Sequence, residues 1–136
     1  MITRADISLL QSWLDAPQPP IPQLRQTIAL AYDQAERAYL HTQYTCRVCG
    51  KCFRPIDYGP DTVLWAERSN PNPICPTCYP DAAEDHFIVL RWLEHPAEHF
   101  IMTRLELCVC ILDKTELDED DLTDISIYLA EVEELL

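Results

Sequence analysis

Two Cys-x-x-Cys pairs, Cys46-Arg47-Val48-Cys49 and Cys75-Pro76-Thr77-Cys78, stand 25 residues apart in a chain of 136. The sequence around them is poor in the material of a core. Residues 44–80 hold six of the eleven prolines and both glycines, with only short apolar runs such as Thr62-Val63-Leu64-Trp65. A stretch with so few aliphatic side chains does not bury enough apolar surface to fold by itself and is expected to depend on a bound ion. Zinc suits the donors. It takes four thiolates in a tetrahedron with Zn–S of about 2.3 Å, and each Cys-x-x-Cys turn aims two sulfurs at one ion. Iron held by four thiolates is the lesser option, because nothing else in the chain points to electron transfer.

The neighbours of the seven cysteines, at 46, 49, 52, 75, 78, 108 and 110, narrow the choice of ligands. Gly50 follows the first pair, where such a turn needs a positive φ that glycine adopts without strain. Pro76 stiffens the second turn. The competing pair Cys49-x-x-Cys52 leaves Cys46 spare and is followed by Phe53, which takes a positive φ only at a cost. The expected ligands are therefore Cys46, Cys49, Cys75 and Cys78. Cys52 is the alternative ligand, and otherwise a spare thiol beside the metal. Cys108 and Cys110 lie in an apolar helical stretch and read as core residues. The odd count, the paired spacing and the lack of an apolar leader in the first fifteen residues favour reduced thiols and a soluble, cytoplasmic protein. No apolar run approaches the roughly 18–20 residues that span a bilayer.

Through Cys46-x-x-Cys49-Gly50 and Cys75-Pro76-x-Cys78, residues 44–80 resemble the zinc-ribbon and treble-clef group of zinc fingers. The resemblance covers about a quarter of the chain. It implies two knuckles, joined through a small β-hairpin, around a structural zinc, in a module that binds nucleic acid or protein. The gap between the pairs exceeds the common ~15–20 residues, which implies an extended loop around Pro71-Asn72-Pro73. A helix soon after Cys78 favours the treble clef, whereas Pro80 weighs against the last cysteine lying inside that helix. Both architectures stay open at this point.

Outside the cysteine segment the periodicity is helical. Thr3-Arg4-Ala5-Asp6 has the pattern of a capping box, and Ile7, Leu10, Trp13 and Leu14 follow it, predicting a helix over about 4–15. Pro17 to Pro22 form a stiff connector whose last proline suits the first turn of a helix. Leu24, Ile28, Ala31, Ala35 and Ala38 make one stripe on a helix of about 22–42. Asp81-Ala82-Ala83-Glu84 with Phe87, Leu90 and Leu93 predicts a helix over about 82–94, which His95-Pro96 ends. Ala97, Ile101, Leu105, Cys108 and Leu112 mark a fourth helix over about 97–113, and Leu122, Ile125, Leu129, Val132 and Leu136 a fifth over about 120–136. The expected fold is mainly α: about five helices with an inserted, small, β-containing four-cysteine zinc module. The organisation is a helical pair over 1–43, the zinc module over 44–80, and acidic helices over 81–136 that pack with 1–43 as one helical domain.

Charge separates these regions. Residues 1–43 are near neutral and 44–80 carry a net +1, while 81–136 hold sixteen acidic groups against three basic ones, so the whole formal charge of -13 resides there. That balance disfavours a surface that grips polyanions everywhere. Arg47, Lys51 and Arg54, with Tyr44, Phe53, Tyr58 and Trp65, are the candidate nucleic-acid contacts; they also serve to offset the -2 charge of a four-thiolate zinc. His95-Pro96-Ala97-Glu98-His99 matches the pattern of inverted zinc peptidases, but Pro96 is expected to keep the two imidazoles off a common turn, leaving them as solvent-facing helix-start residues. With two glycines in the chain there is no phosphate-cradling loop. The sequence thus points to a non-enzymatic interaction or regulatory protein with structural zinc, whose acidic helices dock on a basic protein partner. A nucleic-acid-binding zinc-finger regulator is the alternative, and an acidic, DNA-mimicking inhibitor of a nucleic-acid enzyme the third reading. Neither a membrane nor a small-molecule substrate is expected.

Overall fold

The computed structural model describes residues 1–67, 72–80 and 93–136. Helix α1 spans Arg4–Leu14, and its start is fixed by reciprocal bonds: the Thr3 hydroxyl accepts from the Asp6 amide, and the Asp6 carboxylate accepts from the Thr3 amide at 2.8 Å. Helix α2 covers Ile21–His41, with Pro22 in its first turn where no amide donor is required. Helices α3 (Ala97–Leu112) and α4 (Glu119–Glu133) complete the helical set, so four helices stand among the described residues where five were expected. The expected helix over 82–94 falls mostly on residues 81–92, which lie outside the described residues. Its last two positions, Leu93–Glu94, are not helical: they form a strand.

The chain forms two compact units. One comprises Met1–Glu36 and Phe100–Leu136, the other Arg37–His99. In the first unit, Ile7, Leu10, Leu24, Ile28, Leu105, Cys108, Leu112, Ile125, Leu129 and Val132 are fully buried in one cluster fed by all four helices. Each fully buried Leu, Ile or Val contributes on the order of 2 kcal/mol of hydrophobic free energy. Polar contacts set the register of this packing. Gln11 of α1 donates to the Ser126 carbonyl at 2.9 Å and accepts from the Ser126 hydroxyl at 2.7 Å. Arg4 reaches the Leu136 carbonyl at 3.1 Å, so α1 and α4 run antiparallel. At the end of α3, the Arg25 guanidinium donates twice to the Leu112 carbonyl, at 2.9 and 2.7 Å, satisfying a carbonyl that the helix itself leaves open. Cys110, expected in the core with Cys108, is exposed. Two residues along a helix turn a side chain by about 200°, so the two cysteines cannot share a face.

In the second unit, β1 (Tyr44–Thr45) pairs antiparallel with β2 (Cys52–Phe53), Tyr44 opposite Phe53 and Thr45 opposite Cys52. A single 3₁₀ turn, Pro55–Asp57, follows. Strand β3 (Ala66–Glu67) pairs antiparallel with β4 (Leu93–Glu94), and Trp65, just before β3, forms an antiparallel bridge with Ile74. Leu93–Glu94 thus pair with a strand where the periodicity predicted helix. An amphipathic period of 3.6 does not prevent the last residues of a segment from being recruited by a strand edge.

Candidate metal centre

The β1–β2 hairpin carries the first knuckle at its tip. Cys46 follows β1 directly; its amide donates to the Lys51 carbonyl at 2.9 Å, and the Gly50 amide returns to the Cys46 carbonyl at 2.8 Å. Gly50 has φ +74°, the conformation expected of the residue after such a turn. The second knuckle is approached through the Trp65–Ile74 bridge, where the Ile74 amide donates to the Trp65 carbonyl at 2.8 Å. The amides of Cys78 and Tyr79 both donate to the Cys75 carbonyl at 3.0 Å, and Tyr79 and Pro80 are already helical. Backbone amides help join the knuckles: that of Arg47 donates to the Pro73 carbonyl at 3.4 Å, and that of Cys75 to the Cys46 sulfur at 3.3 Å.

This framework brings Cys46, Cys49, Cys75 and Cys78 together, with all four sulfurs within 4.8 Å of one another. Cys49 and Cys75 are 4.0 Å apart, Sγ to Sγ. A tetrahedron with Zn–S of about 2.3 Å has an edge of about 3.8 Å, so the donors stand close to the spacing the ion requires. The four-cysteine cluster is consistent with a zinc-binding module. Cys52 is not in it: the thiol is exposed on β2, 3.7 Å from the Thr45 hydroxyl.

The four cysteines are not equivalent. Cys46 and Cys75 are buried, Cys78 is half-buried and Cys49 is exposed. Burial by itself would raise the Cys46 thiol, but the amides of Cys49, Cys75 and Val48 all point at its sulfur and together bring it down to about 6. Cys78 is pushed up to about 12, first by its bond with the Cys75 thiol and then by burial.

Around the cluster, Arg47 and Lys51 are exposed on the first knuckle. Arg54 is engaged locally: its guanidinium lies 3.1 Å from the Asp57 carboxylate and holds that carboxyl below its usual range. Of the aromatic residues that accompany these cations, Tyr44 and Phe53 are buried, their ring centroids 6.1 Å apart, and Phe53 meets Tyr58 edge-on at 5.9 Å. They back the hairpin, and Tyr58 is the ring of that trio left exposed.

The histidine pair differs from the sequence expectation. His95 lies before α3 and His99 in its first turn, yet their ring centroids are 4.4 Å apart and His99 is only 7% exposed. Pro96 turns the chain so that the preceding ring folds back onto the helix start. Glu98, the base of a metallopeptidase reading, instead accepts the Tyr44 hydroxyl at 2.8 Å. Among the described residues, no third metal-ligating side chain joins the two histidines. The sequence placed His95 and His99 close together but gave no sign of their burial; the aromatic partners Tyr39 and Trp65 come from distant positions and left no trace in spacing.

Compared with protein-family models, curated proteins and solved structures, the chain gives no match. Among the described residues, no helix is long and apolar enough to cross a membrane.

Proposed function

We propose that the chain is a non-enzymatic interaction protein in which a structural zinc of treble-clef type frames residues 44–80 and the acidic helices dock on a basic protein partner. The observation that carries this reading is the closed donor set: four cysteine sulfurs from two knuckles surround one point. Four protein thiolates leave no coordination position for water or substrate, which makes a zinc there structural. The treble-clef assignment is supported by the second knuckle, which leads directly into the helical residues Tyr79 and Pro80, and proline suits that first turn.

The docking surface is argued from α4 and the turn before it, where Glu116, Asp118, Glu119, Asp120, Asp124 and Glu134 are all exposed. A field of one sign accelerates encounter with a partner of the other and weakens with salt. The test has two parts. Elemental analysis is expected to return one zinc per chain, and charge reversal at Glu119, Asp120 and Asp124 is expected to abolish partner binding without changing the zinc content. A salt-sensitive mobility shift of nucleic acid that is lost on replacing Arg47 and Lys51, with the acidic variant unimpaired, would transfer the function to the zinc module.

A further inference from the structure

We infer that His99 is the proton-operated element of a latch on the strand that delivers the second cysteine knuckle: protonation of His99, against which the His95 ring packs, opens the Trp65–Ile74 bridge and loosens the metal cluster. The inference rests on the four-cysteine site being a metal site, and it concerns how that site is regulated.

The His99 ring is more than nine-tenths buried, and its Nδ1 has no hydrogen-bond partner. Buried polar nitrogens are nearly always satisfied, so an orphan of this kind calls for an explanation. Two rings face it: Tyr39 of α2, edge-on at 5.1 Å, and His95 at 4.4 Å. The Tyr39 hydroxyl is committed to the Thr62 carbonyl at 2.8 Å, and the nearby Glu98 carboxylate is committed to the Tyr44 hydroxyl at 2.8 Å. Among the described residues, the titratable groups around the pair are Tyr39, Tyr44 and Glu98, and none of them bonds the His99 ring. A proton arriving on His99 meets no hydrogen-bonded counter-charge among these residues.

The pair is mechanically joined to the knuckle. His95 Nδ1 bonds the Leu64 carbonyl at 2.9 Å, and its ring packs against Trp65 at 4.3 Å. Trp65 in turn stacks on Tyr79 at 6.1 Å, and its carbonyl accepts the Ile74 amide. Ile74 precedes Cys75, the buried ligand whose amide bonds the Cys46 sulfur. Charging His99 draws its ring towards water and unseats the His95 ring packed against it, on which Trp65 leans, and the bridge that seats Cys75 goes with it.

The direction in pH follows from burial. Desolvation, assisted by His95, holds the closed-state His99 down at about 4, against an ordinary value of 6.5. A group depressed in the closed form contributes stability that is complete above its free value and is lost as pH falls from there towards the closed-state value. The latch is therefore shut at neutral pH and yields between about pH 6.5 and 4.

The test follows exchange of the Ile74 amide by NMR in the zinc-loaded chain from about pH 8 to 5. Corrected for intrinsic exchange, protection in the wild type is expected to fall at least roughly tenfold below pH 6.5. In His99→Phe it is expected to hold, because phenylalanine fills the ring site and takes up no proton. Identical profiles in the two proteins would overturn the latch. Imidazole nitrogen spectra of the wild type give a second measurement should the variant not fold. His99 titrating well below 6.5 together with loss of Ile74 protection supports the latch, and titration near 6.5 with Ile74 unaffected overturns it. Metal content at about pH 7.5 separates the two readings: zinc absent there defeats the metal site itself, whereas zinc present with a profile indifferent to His99→Phe defeats the latch alone.

Discussion

At Cys46 three backbone amides converge on one sulfur, and that sulfur accepts its longest-range bond from the Cys75 amide. Replacing the sulfur by a hydroxyl removes the thiolate from the cluster and leaves a neutral, shorter-reaching acceptor for the amide that joins the two knuckles. Cys46→Ser is expected to abolish zinc retention and melt the surrounding segment, while Cys52→Ser, at an exposed thiol outside the cluster, retains one zinc per chain; elemental analysis after gel filtration distinguishes them. Gly50 offers a cleaner probe of backbone strain, since a Cβ there meets nothing within 4 Å and φ is +74°. Gly50→Ala is expected to cost about 1–2 kcal/mol purely through the left-handed conformation, and Gly50→Asn to recover part of it. Thermal melting of the zinc-loaded proteins reads the difference. At this scale the sequence was informative where chemistry is local. The ligand spacing and the positive φ of Gly50 depend on neighbours within a few residues. His99 was misread because its burial depends on Tyr39, a ring sixty positions away.

Among the elements, the helices owe their starts to reciprocal capping. Thr3 with Asp6 opens α1, and Asp118 with Asp121 opens α4, where the Lys114 ammonium also bonds the Asp121 carboxylate at 2.8 Å. Thr3→Ala and Asp118→Ala are each expected to cost about 1 kcal/mol, lowering the melting temperature by roughly 3–6 °C, as calorimetry would show. The first cap was legible because Thr3 and Asp6 precede an apolar stripe in the register that a helix demands. The second cap is not legible in the same way, since the four acidic side chains in a row at 118–121 do not reveal which one caps. Helical stripes survived the passage into structure: Ile7, Leu10, Leu24, Ile28, Ile125 and Leu129 are all buried. Strand β4 was missed because two residues of pairing are decided by the partner strand, Ala66–Glu67, and not by their own alternation.

For the molecule as a whole, the two compact units differ in what holds them. Met1–Glu36 with Phe100–Leu136 has an apolar core of aliphatic side chains, whereas Arg37–His99 contains short strands, turns and the cysteine cluster. Chelation is therefore expected to act on them unequally. Hydrogen exchange after treatment with a strong chelator should show loss of protection at Ile74 and Cys75 while the amides of Leu10 and Leu129 stay protected. Unchanged exchange across 44–80 would mean that this segment needs no ion. The scarcity of aliphatic residues around the cysteines is legible in the sequence itself.

The bond from the Cys75 amide to the Cys46 sulfur closes a ring of chain, since its two ends lie 29 residues apart. In polymer terms an ion held at that point is a cross-link. By loop-closure entropy a tie of that span withdraws roughly 3–4 kcal/mol of freedom from the unfolded chain. Part of the zinc's stabilising effect would then be exerted on the disordered state, by denying this segment most of the conformations it could otherwise explore.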